Sequence, residues 1–314
     1  MKTFAVIFFL TAFAGAVVAS FPQSSTKDKA YLGKRLFFDT ILSADKTVSC
    51  ATCHKPDFAF ADTVALSAGV GGAKGLRNTP SAMNVRLQKR FFWDGRAESL
   101  EAQALAPISN PAEMNLPIEE AVERLRQDAS YRKDFETVFY SQPTKENLAQ
   151  ALAAFERTLE TSDSPFDEWK FSGREDAVSA AVKNGFALFT TKAKCSQCHF
   201  GADFASDEFR NIGLFNGKDL NDSGRALVTG KKEDIGKFKI GPLRNVALTA
   251  PYMHNGMFKT LKEVIQFYND PRSIVNGIQN IDTLLRKPLH LSAQEQQDLE
   301  AFLHALTDKQ FLKN

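Results

Sequence analysis

A chain of 314 residues with a formal net charge of +2 has no basic excess for a nucleic-acid footprint, so charged steering of any partner would have to come from a local patch. The length exceeds the usual size of one domain, and 43% hydrophobic residues are ample for packed cores.

At the N-terminus, Lys2 precedes an apolar stretch from Phe4 to Ala19, interrupted only by Thr11 and Gly15, and polar residues begin at Ser20. This pattern predicts a signal peptide over residues 1–19, with Val17-Val18-Ala19 before the cleaved bond. The run is short for a bilayer-spanning anchor. No cysteine follows it to take a lipid. The expected location is a bacterial periplasm, with no membrane span after signal cleavage.

All four cysteines fall in two copies of one pattern, Cys50-Ala51-Thr52-Cys53-His54 and Cys195-Ser196-Gln197-Cys198-His199. This is the attachment signature of c-type haem, in which two thiols bond the haem vinyl groups and the histidine is the proximal iron ligand. Two covalently bound c-type haems are expected. A zinc half-site and a thioredoxin-type redox pair also use Cys-x-x-Cys. Zinc, however, usually takes histidines spaced away from the cysteines, and a redox pair has no need of His54 and His199 at matching offsets. Local disulfides, Cys50 to Cys53 and Cys195 to Cys198, are a further reading in an exported chain, although such small loops constrain little.

Between and after these motifs the periodicity is helical. Leu148, Ala151, Leu152, Phe155 and Leu159 recur at three- and four-residue steps, predicting a helix from near Thr144. Thr161-Ser162-Asp163-Ser164-Pro165 ends it with turn residues and marks a domain boundary before Phe166. Ala181, Phe186 and Phe189 predict a helix ahead of the second motif. Ser292 and Glu295 form a capping box before Leu299, Phe302, Leu303 and Leu306. Residues 69–75 and 211–230 are rich in turn formers and lack strand alternation. The reading is an all-α protein with long functional loops and two cytochrome c-like haem domains, residues 20–165 and 166–314.

Two haems in one chain can serve as a plain electron carrier with both irons capped. They can instead reduce peroxide, which needs an open iron face and groups that move protons as the O–O bond breaks. Here a resemblance enters. Arg77-Asn78-Thr79-Pro80-Ser81, Phe92-Trp93-Asp94-Gly95-Arg96, Asn110-Pro111-Ala112-Glu113-Met114 and Leu248-Thr249-Ala250-Pro251-Tyr252-Met253-His254 resemble the bacterial di-haem cytochrome c peroxidases and their relative MauG. The similarity runs from about Gly33 to the last helix.

The resemblance implies that the N-terminal haem, with His54 as proximal ligand, is the peroxide site, and that the C-terminal haem, with His199, receives or stores electrons. Glu113 falls on the distal acid/base, whose pKa burial should raise. Gln103 and Pro107 fall on further distal-pocket positions, Gln103 as a hydrogen-bond donor to iron-bound oxygen. Trp93 matches the indole between the haems, as a relay for an electron or a hole, against the alternative of a core anchor. Asn78, Thr249 and Pro251 match positions around a calcium ion, which takes oxygen donors of this kind; an ordinary loop asparagine and turn proline are the alternative. His254, His290 and His304 receive no role.

Two departures from most peroxidases of this kind stand out. Those enzymes carry a histidine after the first motif that caps the oxidised catalytic iron, whereas this chain has none between His54 and His199. The first iron is therefore expected to be five-coordinate or water-bound. The distal ligand position of the second haem falls on Tyr268, where most members have methionine and MauG has tyrosine. A phenolate oxygen stabilises oxidised iron, so the swap should lower the potential. Met253 and Met257 are rivals for this place.

The resulting reading is a di-haem peroxidase that reduces hydrogen peroxide to water. Its partner is a small c-type cytochrome or cupredoxin as electron donor, or else a protein substrate oxidised in MauG fashion; a non-enzymatic electron carrier is the third reading. A homodimer is allowed, and no nucleic-acid partner is expected.

Overall fold

The computed structural model describes residues 26–312, and the leader expected over residues 1–19 lies outside them. Along the chain run α1 (Thr26–Phe38), α2 (Cys50–Cys53), α3 (Leu100–Ser109), α4 (Ile118–Gln127), α5 (Ala129–Phe139), α6 (Lys145–Glu156), α7 (Pro165–Ser172) and α8 (Ala180–Thr190). Strand β1 (Phe209–Arg210), helix α9 (Ala226–Thr229), strand β2 (Phe238–Lys239), α10 (Leu261–Asn269), α11 (Pro271–Ile274) and α12 (Ala293–His304) complete the order.

Local sequence explains where the long helices start. Thr144 and Asn147, Ser164 and Asp167, Thr260 and Glu263, and Ser292 and Glu295 form reciprocal capping boxes at α6, α7, α10 and α12. The chain is mainly helical, and the all-α expectation is corrected in one detail. β1 and β2 pair antiparallel, Phe209 opposite Lys239 and Arg210 opposite Phe238. Strands of two residues are too short to show any alternation in sequence. The short helix α9 likewise sits inside a stretch whose composition reads as loop.

Two large apolar clusters divide along the chain. One draws its buried residues from Leu32 to Leu159, including Phe37, Leu125, Phe135, Leu148 and Phe155. The other runs from Phe166 to Leu306 and includes Phe189, Phe204, Phe267, Leu299 and Phe302. Between them, Thr161 Oγ1, Ser162 N and Asp163 N all donate to the carboxylate of Asp308 (2.6, 3.0 and 3.0 Å), tying the intervening turn to the C-terminal end. Among the described residues no helix is long and apolar enough to cross a membrane.

Each cluster is organised by the same helix crossing. α1 carries Gly33-Lys34-Arg35-Leu36-Phe37 and α8 carries Gly185-Phe186-Ala187-Leu188-Phe189, a shared Gly-x-x-Leu-Phe ahead of each cysteine motif. A Cβ on Gly33 would fall 1.8 Å from Ala151 O and 2.9 Å from Phe155 Cβ on α6. On Gly185 it would fall 1.9 Å from Asp298 O and 2.8 Å from Phe302 Cβ on α12. The absent side chain lets each pair approach closely, so that Phe37 packs on Phe155 and Phe189 on Phe302. Gly185→Ala should force α8 and α12 apart and lower stability by about 1–3 kcal/mol, read as a fall in melting temperature of the purified protein. An unchanged melting temperature would contradict this packing.

Candidate functional site

Both cysteine motifs end in a half-buried histidine whose ring lies against a backbone carbonyl. α2 holds Cys50 and Cys53, and His54 N closes its last turn on Cys50 O (2.9 Å). The chain reverses through Ala59 and Phe60, both at positive φ, and His54 Nδ1 lies 2.9 Å from Phe60 O. In the second copy His199 N bonds Cys195 O (2.9 Å), the reversal uses Gly201 and Phe204 at positive φ, and His199 Nδ1 lies 3.0 Å from Phe204 O. A carbonyl can only accept, so Nδ1 carries the hydrogen and Nε2 keeps its lone pair. Burial pushes both imidazoles below their ordinary range and keeps them neutral. A neutral ring fixed through its far nitrogen is the form that binds iron.

All four cysteines are unpaired and none forms the local disulfides considered from sequence in this structure. Burial pushes the Cys50 thiol far above its ordinary range and Cys195 up to about 12. Among the described residues no three His, Cys, Asp or Glu side chains gather as a metal cluster. Neutral thiols beside a neutral imidazole fit haem attachment, in which sulfur and hydrogen add across a vinyl group.

Around the first motif the structure gathers carboxyl groups. α3 is capped by Ser99, which accepts from Ala102 N (3.1 Å), and places Gln103 and Pro107 one turn apart on one face. The Pro107 carbonyl accepts from Asn110 N and Met114 N, folding the chain back through the turn that carries Glu113. Asn110 Nδ2 donates to Glu113 Oε1 (2.6 Å), and the glycine-rich loop donates from Val70 N to Glu113 O (2.8 Å). Burial raises the Glu113 pKa, against the opposing pull of Asn110 and Arg96, and Glu113 bears on both the Cys50 and Cys53 thiols. Gln103 is half-buried and its amide bonds no described residue.

Sequence reading missed Glu156, the last residue of α6. It is 7% exposed, its carboxyl makes no hydrogen bond or ion pair with any described residue, and it bears on Cys50. Burial pushes its pKa up to about 8. The neighbouring Arg157 turns away to a bidentate pair with Glu101 (2.7 and 3.0 Å). A glutamate at a helix end reads as solvated, and only the packing of α6 reveals otherwise.

Trp93 lies where the two parts of the chain meet. Its indole Nε1 donates to Asn78 O (2.8 Å), Asn78 N donates to His254 O (2.7 Å), and Trp93 O accepts from Lys239 N (2.8 Å). Asn78 Nδ2 donates to Val64 O and Ala65 O (3.2 Å each), which leaves its Oδ1 for another partner. Thr249 and Pro251 sit just ahead of His254 in the facing loop. His254 itself, given no role from sequence, stacks on Phe238 at 3.7 Å, and burial lowers its pKa to about 4. Arg77 grips Asp222 through two bonds (2.7 and 2.8 Å) and Asp94 through a third (2.6 Å).

At the second motif, α10 carries Tyr268 next to Phe267, whose ring it meets edge-on. Burial raises the phenol pKa, with the Cys195 and Cys198 sulfurs adding to the effect, so Tyr268 faces that cysteine pair. Its hydroxyl bonds no described residue. Met257, a rival from sequence, is at the surface with Sδ beside Asn255 Nδ2 (3.7 Å). Met253 is half-buried at positive φ against the second cluster.

A mainly helical chain with two matched stations, one ringed by carboxyl groups and the other by aromatic residues, defines a haem oxidoreductase of the peroxidase class. The family description "Di-haem cytochrome c peroxidase" matches residues 27–176. The chain is 40% identical over 285 residues to the methylamine utilization protein MauG of Methylorubrum extorquens, covering 90% of this chain and 78% of that protein. It is 36% identical over 296 residues to the cytochrome c551 peroxidase of Pseudomonas aeruginosa, covering 92% and 81%. The solved structure of a MauG-like protein associated with microbial copper homeostasis superposes with a TM-score of 0.82 at 30% identity, covering 97% of this chain and 98% of that one. The chain belongs to the di-haem cytochrome c peroxidase family. It is an oxidoreductase that uses two haems.

Glu156 sets a pH dependence. Its folded pKa of about 8 lies above its ordinary 4.5, so the native state keeps a proton there that the unfolded chain releases. Its contribution to stability is therefore complete below about pH 4.5 and is lost as pH rises toward about 8. Glu156→Gln should flatten that decline in thermal melts taken across this range. A variant melting curve with the wild-type pH slope would contradict the assignment.

Proposed function

We propose that the chain reduces hydrogen peroxide to water at the station of His54, with electrons entering through the station of His199. The observation that carries this reading is the half-buried Glu113 carboxyl, raised in pKa and bearing on the Cys50–Cys53 pair. The haem at that station supplies the iron at which the O–O bond is cleaved. Glu113 takes the proton from one peroxide oxygen and returns it to the leaving oxygen, and Asn110 holds Oε1 in place for this. Gln103 and Pro107, one turn apart on α3, would line the peroxide side of that haem. Two electrons and two protons convert one peroxide into two waters.

Trp93 is the relay between stations, supported by its bonds to both parts of the chain. Tyr268 is the second ligand of the C-terminal iron, supported by its buried, unbonded hydroxyl facing Cys195 and Cys198. Asn78 with the carbonyls of Thr249 and Pro251 holds calcium between the stations, since Asn78 Oδ1 is left over by the bonds of its own amide nitrogen. The cysteine motifs attach both haems covalently, in two cytochrome c-like domains covering residues 20–165 and 166–314. Cleavage before Ser20 delivers the protein to the periplasm. The electron donor is a small c-type cytochrome or cupredoxin. A second reading, oxidation of a partner protein's side chains as in MauG, is favoured by one residue, Tyr268, whose oxygen would stabilise the oxidised state of the second iron.

Stopped-flow mixing of the holoprotein with peroxide, with and without reduced donor, tests the proposal. Rapid turnover with the donor supports peroxide reduction. A long-lived spectral change with poor turnover supports the second reading, and no reaction with peroxide overturns both. Glu113→Gln should lower turnover by roughly 10²–10⁴-fold while leaving the resting haem spectrum in place. Tyr268→Phe should alter the spectrum of the second haem alone, and an unchanged spectrum would remove Tyr268 as its ligand.

A further inference from the structure

The turn that carries Trp93 comes from the N-terminal part of the chain, which holds it through Trp93 Nε1 on Asn78 O and Arg77 on the Asp94 carboxylate, and it is held from the C-terminal part as well. Phe92 and Gly95 take positive φ, and Phe91 N bonds Ala97 O (3.0 Å) across the neck of the turn. Those bonds shape the turn. Its outer carbonyls are taken by one distant side chain: Arg225 Nη1 donates to Asp94 O (2.8 Å) and Gly95 O (3.0 Å). Lys239 adds its backbone N–H on Trp93 O (2.8 Å), and its Nζ donates to Arg90 O (2.9 Å) and to Gln88 Oε1.

These groups are linked through one ladder. Phe209 and Lys239 are paired across the β1–β2 ladder, and Arg225 N bonds Lys237 O (2.8 Å) at its edge. The Arg225 guanidinium lies 4.5 Å over the Phe209 ring. That ring in turn occupies the space a Cβ on Gly95 would need, 2.3 Å from it. The ladder, too small to matter as a sheet, therefore works as a backing plate for the turn. A guanidinium with two carbonyls on one nitrogen and an aromatic face beneath has little freedom to move.

We propose that Arg225, backed by Phe209 and the β1–β2 ladder, is a positioning residue that sets where Trp93 lies between the two stations, and so sets the rate of electron passage between them. The inference rests on the reading of Trp93 as relay. Among the described residues Arg225 makes no hydrogen bond or ring contact with either cysteine motif, and it acts on the turn through the carbonyls of Asp94 and Gly95. One electron leaves the reduced C-terminal haem and reduces the oxidised N-terminal one in each passage, with peroxide as the oxidant.

The test uses the holoprotein with the C-terminal haem reduced beforehand, mixed with peroxide in a stopped-flow spectrometer. Two rates are read: the initial spectral change at the N-terminal haem, and the oxidation of the C-terminal haem that follows. Arg225→Ala should leave the first rate as in the wild type and slow the second by roughly tenfold or more, since small misplacements of a reacting group carry penalties of this size. Arg225→Lys, able to restore one of the two bonds, should fall between. A purely structural role would lower the melting temperature and depress both rates together. Trp93→Phe separates the two layers of the argument. If it slows the second rate while Arg225→Ala and Arg225→Lys leave that rate unchanged, the positioning role is overturned and the relay stands. If Trp93→Phe leaves the second rate unchanged, the relay reading falls and the positioning role with it.

Discussion

The bond from each motif histidine to a carbonyl, His54 to Phe60 O and His199 to Phe204 O, is the constraint on which the site depends. It decides which nitrogen bears the hydrogen, and with burial it keeps both rings neutral. Each bond exists because the chain reverses through residues at positive φ a few positions after the histidine. Those reversals are held in turn by the helix that precedes each motif. In both halves that helix crosses a second one at a glycine, so that Phe37 and Phe155, or Phe189 and Phe302, pack beneath the station. The same device built twice accounts for two haems in one chain.

What surrounds the two stations then differs. Near the first, Glu113 and Glu156 are both pushed upward in pKa by burial, which suits holding and moving protons. Near the second, Phe166, Phe186, Phe189, Phe204 and Phe302 pack edge-on or tilted against one another and Tyr268 presents a half-buried phenol. Under the proposed reading, proton chemistry belongs to the first environment and electron entry to the second. The join between them is polar and crowded, with Arg77, Asp94, Asp222 and Arg225 around the Trp93 turn.

Features legible in sequence are those made by neighbours along the chain. The capping box at Ser292 and Glu295 and the stripe through Leu148, Leu152 and Phe155 are local, and the structure has each in place, whereas α6 already ends at Glu156, ahead of residues 161–165 that were expected to end it. The Gly-x-x-Leu-Phe repeat ahead of each motif was equally available, but it is too short to stand out until the crossing helices give it a meaning. Glu156 was hidden for another reason, since helix ends are usually wet and only tertiary packing buries this one. Arg225 and Lys239 lie far along the chain from the turn they hold, and the two-residue strands that align them have no period to detect.

Each histidine and its two thiols, on the proposed reading, form a station for covalent haem. Intact-mass measurement of the mature protein, combined with alkylation of any free thiols, tests it most directly. The account predicts a mass raised by two haem groups and no alkylated cysteine. An unmodified mass with four alkylated cysteines, or bound zinc in place of haem, would contradict it.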